Sequence, residues 1–127
     1  MYDYVVQKLK RILFKEKVKT YRYDVLWKRI IKRSKKVKRR TILSGFVDFD
    51  DTPRRGNNGN VVIGATPGKF YNYVKQLLEI AKGYEFDFIL ITAWNEWGEG
   101  AYLEPDENEE FAYLEALKKA INDVNKG

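Results

Sequence analysis

Apolar positions along this chain follow two rhythms. From Thr41 to Phe49 (TILSGFVDF) and from Phe86 to Trp94 (FDFILITAW) they form compact runs, and Phe88 to Ala93 shows no polar/apolar alternation. Such a run predicts a strand covered on both faces, as in a parallel sheet packed between helices or closed into a barrel. Between the two runs, Pro67 to Lys82 predicts a helix, with Thr66 as N-cap and Pro67 at the first helical position. A second helix is predicted near Glu109 to Asn122, with acids in its first turn and Lys118 and Lys119 towards its end, as the helix dipole favours. Tyr113, Leu114 and Leu117 have the spacing of its core stripe. Ahead of both units, Tyr2 to Lys38 reads as a basic helical region, one helix broken near Lys19 to Tyr21.

This order gives two strand-plus-helix units and an α/β fold class. No internal repeat and no Pro/Gly linker divides the chain. Residues 1–127 therefore read as one domain: a basic helical region over 1–40 and two βα units over 41–127.

Charge divides the chain at the same place. Through Arg40 there are 16 Lys and Arg against 3 Asp and Glu, a net of +13; from Thr41 onward 8 face 15, a net of −7. The basic balance thus describes only the first third. The run KRSKKVKRR, Lys32 to Arg40, admits a nucleic-acid, nuclear-import or anionic-membrane reading, since clustered cations attract phosphate without regard to sequence. A solvated helix face ranks ahead of these, because no aromatic residue for base stacking is interleaved in the run.

Cysteine and histidine are both absent. That excludes disulfides, Cys-based metal sites, Cys nucleophiles and a Ser-His-Asp triad, leaving carboxylates as the main candidates for acid/base chemistry near neutral pH. No cofactor and no metal ion are expected. No apolar leader and no long apolar span appears, so the expected location is cytoplasmic, without a transmembrane segment.

The second apolar run ends in WNEWGEGAYLEP, Trp94 to Pro105, at the C-terminal end of its strand. Ligands and chemistry gather there in parallel α/β folds. A turn through Gly98 brings Glu96 and Glu99 within about 7 Å of one another at Cα, close enough to share a substrate. A carboxyl desolvated against Trp94 or Trp97 keeps its proton while its partner stays ionised, a pairing suited to glycoside chemistry. Trp94, Asn95, Trp97 and Tyr102 are candidate substrate-binding residues, Tyr102 having packing as its alternative; Glu104 and Pro105 close the loop.

Asp48, Asp50 and Asp51 form a second acidic group. Asp48 and Asp50 fall on one side of a strand, where they could hold a divalent metal as a DxD element. A strand-end acid pair fixed by Arg54 and Arg55 competes with that reading. In the mixed reading preferred here, Asp50 or Asp51 hydrogen-bonds sugar hydroxyls and Arg54 orients an acid or binds an anionic substituent. The loop GNNGN, Gly56 to Asn60, lacks the Lys-Ser/Thr ending of a P-loop and reads as a turn.

The string WNEWGEGAYLEP followed by EEFAYLEALKKA, together with VDFDDTPRRGNNGNVVIGATPGKF, resembles the C-terminal part of the WbsX-type polysaccharide-biosynthesis glycosyltransferases, relatives of glycoside hydrolase family 99. The resemblance covers Tyr21 to Asn122. It implies a (β/α)8 TIM-type barrel, of which this chain holds the last two βα units, the C-terminal fragment. A whole barrel takes about 250 residues and the chain has 127, so exposed strand edges and self-association are expected. The resemblance also implies that Glu96 acts as base on a sugar 2-hydroxyl, giving an anhydro-sugar intermediate, while Glu99 serves as general acid and later as base. Gly98 and Ala101 stand where mannosidases of that group carry bulkier or polar residues, so mannose specificity is not implied. Glycans or a sugar donor are the expected substrates, with hydrolysis and transfer both open. A basic nucleic-acid or membrane-surface module and an inactive truncated remnant are the competing readings.

Overall fold

The computed structural model describes residues 18–38 and 41–127. The first part of the predicted basic helical region, through residue 17, and the last two cations of the run Lys32 to Arg40 lie outside the described residues.

Strand β1 (Lys19–Arg22) falls where the break in the basic helical region was expected, and leads without a loop into helix α1 (Tyr23–Ser34). Helix α1 buries Tyr23, Trp27, Ile31 and Ser34 at three- and four-residue spacing, and turns Lys28, Arg29, Lys32 and Arg33 to solvent. Strand β2 (Ser44–Phe46) precedes the short helix α2 (Thr52–Arg55) and a 3-10 turn at Gly56–Asn58. Strand β3 (Asn60–Ile63) and helix α3 (Pro67–Gly83) follow. Thr66 caps α3 as expected, its hydroxyl accepting from Lys69 N–H at 3.2 Å, with Pro67 in the first turn. Strand β4 (Leu90–Thr92) leads into the hairpin of β5 (Asn95–Glu96) and β6 (Ala101–Tyr102), and helix α4 (Ala112–Lys126) completes the described order.

Helix α4 begins three residues later than the acids at Glu109 suggested. Asp106 accounts for the delay: its carboxylate accepts from Asn108 N–H at 2.9 Å and Glu109 N–H at 2.6 Å, holding those residues in a turn of their own.

Strands β2 and β4 pair in parallel, Ser44 opposite Leu90 and Phe46 opposite Thr92, and Val47 N–H extends the ladder to the Thr92 carbonyl. Beyond Val47 the chain leaves β4, so the predicted strand Thr41 to Phe49 serves two partners. Phe49 carbonyl accepts from Val62 N–H at 2.8 Å, and Asp50 bridges Val61. Strand β3 in turn pairs in parallel with β1, Lys19 opposite Asn60. The β1–β3 ribbon therefore lies across the C-terminal end of β2.

One face of the β2–β4 pair carries the core. Leu43, Gly45 and Val47 are buried on that face, and Ile89 and Ile91 pack with them against the cluster that includes Trp27, Phe70, Val74, Leu77 and Ala120. Trp27 is stacked between Phe46 and Tyr73, each with ring centroids 5.5 Å away. Gly45 makes room for it, since a Cβ there would lie 2.3 Å from Trp27 Cη2. Asp24 ties α1 to α3, accepting from Lys69 Nζ at 2.6 Å and Tyr73 OH at 2.8 Å. The Lys69 hydrogen bond, then that of Tyr73, holds the Asp24 carboxyl below its ordinary range.

The opposite face is open among the described residues. Phe88 and Leu90 are 58% and 53% exposed, and Ile42 lies exposed beside them. Apolar content on both faces concealed an alternation that the helices resolve by covering one side only. Among the described residues the fold is mixed α/β with short strands and no closed barrel. None of its helices is long and apolar enough to cross a membrane.

Among the described residues no carboxylate pairs with Lys28, Arg29, Lys32, Arg33, Lys35 or Lys36. If this is a solvated face, duplex DNA should bind weakly and dissociate at moderate salt in a gel-shift titration. Sequence-selective binding that survives physiological salt would overturn that expectation.

Candidate functional site

The β5–β6 hairpin stands directly beyond the C-terminal end of β4. Asn95 faces Tyr102 and Glu96 faces Ala101 across it. Trp97–Glu99 form a 3-10 turn closed by Gly100 N–H to Trp97 carbonyl at 3.1 Å. The turn expected between the two glutamates is thus present, with Glu96 at the end of one arm and Glu99 in the bend. Gly100 takes the left-handed conformation at φ 58°, against the Asp50 backbone. Gly98 meets a different need: a Cβ there would lie 3.2 Å from Arg54 Cδ.

Aromatic rings brace this turn. Trp97 stacks on Tyr102 with centroids 3.9 Å apart, and its Nε1–H donates to Glu104 at 2.5 Å. Tyr102 OH donates to Asp106 at 2.7 Å; that bond, followed by burial, pushes the phenol up to about 12. Trp94 closes the hairpin base, its carbonyl accepting from Leu103 and Glu104 N–H. Both tryptophans keep about half their surface in solvent, Trp94 at 53% and Trp97 at 49%. Asn95 and Glu96 are exposed, and among the described residues neither side chain has a hydrogen-bonding partner.

The loop after β2 reaches the hairpin from the side. Arg54 Nη1 forms an ion pair with Glu99 Oε1, and Asp50 N–H donates to the Glu99 carbonyl at 2.6 Å. Of the two tasks expected of Arg54, the structure shows it holding an acid. Asp50 and Asp51 are engaged within their own loop. Asp50 Oδ1 accepts from Thr52 N–H at 2.9 Å and Thr52 Oγ1 at 2.5 Å. Asp51, only 4% exposed, accepts from Asn60 N–H at 2.5 Å and pairs with Arg55 Nε at 3.2 Å. Of the segment Gly56 to Asn60, expected to be a turn, Gly56–Asn58 form one and Asn60 already opens β3. No group of three acids among the described residues is arranged to hold a metal ion.

Asp48 is the residue that sequence reasoning underused, having weighed it only as half of a DxD pair. It is half-buried, and burial pushes its carboxyl up; the Phe49 N–H bond at 2.8 Å opposes this and the Asp50 charge adds to it. Two hollows share it as a wall. One, of about 220 Å³, lies between the hairpin base and the turn before α4, with Tyr102, Glu104, Asp106 and Tyr113 on its sides. The other, of about 400 Å³, lies between the β1–β3 ribbon and the tips of β2 and β4. Alternation along β2, which puts Asp48 on the Phe46 face at the strand end, was the available signal.

The family model for glycosyltransferase WbsX matches residues 2–117. Two curated proteins from Xanthomonas campestris pv. campestris, strains B100 and ATCC 33913, each carry the name "Uncharacterized protein WxcX" and are 33% identical over 76 residues. Each match takes in 58% of this chain and 11% of the relative, so the chain spans a small part of the length of these relatives. No solved structure matches the chain.

Proposed function

This chain belongs to the glycosyltransferase WbsX family, and from that premise we propose that it carries the acid/base segment of a carbohydrate-active enzyme of polysaccharide metabolism. The β2 and β4 units are read as the last two βα units of a (β/α)8 barrel, with their parallel ladder and one-sided helical cover in support. The observation that carries the chemistry is the hairpin itself, which sets Glu96 and Glu99 around one turn beyond a parallel strand end, flanked by half-exposed Trp94 and Trp97.

In this reading Glu96 takes the proton of a sugar 2-hydroxyl, and the oxygen attacks the anomeric carbon. The bond from the anomeric carbon to the leaving group breaks as Glu99 gives its proton to the leaving-group oxygen. Water or an acceptor hydroxyl then opens the anhydro ring, losing its proton to Glu99 while Glu96 returns its own to O2. The route differs from one in which a carboxylate bonds to the sugar. The tryptophan faces, with Asn95 and Tyr102, line the approach of the glycan. Arg54 orients Glu99 through their ion pair, and its guanidinium can still donate to the carbonyl oxygen of that carboxyl when the carboxyl carries the proton.

A panel of 4-nitrophenyl glycosides, offered with and without acceptor sugars to a complete barrel that carries this segment, tests the proposal. Release of 4-nitrophenol is expected, and new glycosides on adding acceptors would mark transfer over hydrolysis. Arg54→Ala should lower kcat more than it raises KM, with partial recovery in Arg54→Lys, which restores charge without the planar fork. Unchanged kcat in Arg54→Ala would remove Arg54 from the site.

A further inference from the structure

The hollow of about 400 Å³ lies on the open face of β2 and β4, at the C-terminal tips of both strands and against Ala101 of the hairpin. Its walls are mostly apolar, supplied by Tyr21, Phe46, Phe49 and Val62, and its volume is within the ordinary range of small-molecule sites. Asp48, Asn60 and Thr92 interrupt them, and of these Asp48 alone carries a carboxyl. Asp48 Oδ1 accepts from Phe49 N–H, and among the described residues no donor meets its other oxygen.

That combination restricts the occupant. A purely apolar cover, such as another strand laid over the face, would shut a carboxyl away without a partner, which is costly. A ligand richly hydroxylated on every edge would instead leave hydroxyls unpaired against Phe46, Phe49 and Val62. What fits is a ring with hydroxyls on one edge and a methyl on another. We propose that this hollow is a subsite for a 6-deoxyhexose unit, seated with its methyl group against the aromatic and aliphatic walls and its ring hydroxyls donating to Asp48. The proposal rests on the carbohydrate reading of Glu96 and Glu99 and adds to it the class of sugar.

Saturation-transfer difference NMR on the full 127-residue chain tests it with four probes: methyl glycosides of L-rhamnose and L-fucose, and of their parent hexoses L-mannose and L-galactose. At least one 6-deoxy glycoside should bind with its methyl protons the most strongly saturated, and about tenfold or more tighter than its parent, within the range that a hydroxyl misplaced in an apolar pocket produces. Asp48→Asn should weaken it about tenfold, and Tyr21→Ala, a change on an exposed wall, should weaken it with the fold intact by circular dichroism. Absence of binding by all four probes, equal affinity for 6-deoxy and parent sugars, or undiminished binding in both variants would each overturn the subsite. Glu96→Gln separates the two readings. Lost turnover on 4-nitrophenyl glycosides without deoxy preference sinks the subsite alone, whereas retained turnover with intact deoxy preference sinks the paired-glutamate mechanism alone.

Discussion

In a complete barrel that carries this segment, Glu96→Gln and Glu99→Gln should each lower turnover by about 10²–10⁴-fold, the usual contribution of a positioned proton donor or acceptor, while the far-ultraviolet spectrum stays unchanged. Glutamine keeps the shape of glutamate and loses its proton chemistry. The two variants should also differ from each other. A leaving group as acidic as 4-nitrophenol departs with little help from a general acid, so Glu99→Gln should be partly spared on such substrates and impaired on glycans with alkyl leaving groups. Glu96→Gln should be equally impaired on both, because activation of the 2-hydroxyl does not depend on the leaving group. Turnover near that of the parent in both variants would end the two-carboxylate mechanism.

Trp27→Ala should produce the largest loss of stability. The side chain is fully buried, and it stacks between Phe46 of β2 and Tyr73 of α3, joining the strand layer to the helix layer. Removing so large a buried ring costs about 3–5 kcal/mol, against a typical total of about 5–15 kcal/mol. Urea denaturation followed by circular dichroism should show a midpoint shifted far down or a transition lost altogether. Trp27→Phe should cost much less: it retains most of the ring and discards Nε1–H, which is buried and has no hydrogen-bonding partner among the described residues. An alanine variant within about 1 kcal/mol of the parent would contradict the described packing.

What the sequence made legible was what local chemistry decides. Thr66 and Pro67 announced the start of α3 because a cap acts within one turn. Gly98 announced a bend between the glutamates, although the left-handed conformation falls on Gly100, beside the Asp50 backbone. The rest was hidden by non-local pairing. NVVI at β3 is too short to read as a strand by itself and exists through β1, some forty residues earlier in the chain, and through the Phe49 carbonyl. Burial of Asp51 follows from its bond to Asn60 N–H, which no spacing rule indicates. The run at Phe88 hid its alternation because both faces are apolar, so the open side became visible only once Ile89 and Ile91 were seen in the core.

The close fit of Gly98 beneath Arg54, with the Glu99 carbonyl bonded to Asp50 N–H, bears on any attempt to move this chemistry to another scaffold. A graft of WNEWGEG alone would carry both glutamates but leave behind the strut that fixes the bend. The portable unit is the hairpin together with Asp50 to Arg55, two segments separated by one helix and two strands. A designer would have to hold the backbones of those two loops at their native separation before choosing any other residue, and a bulkier residue at position 98 would press on the Arg54 side chain that reaches Glu99.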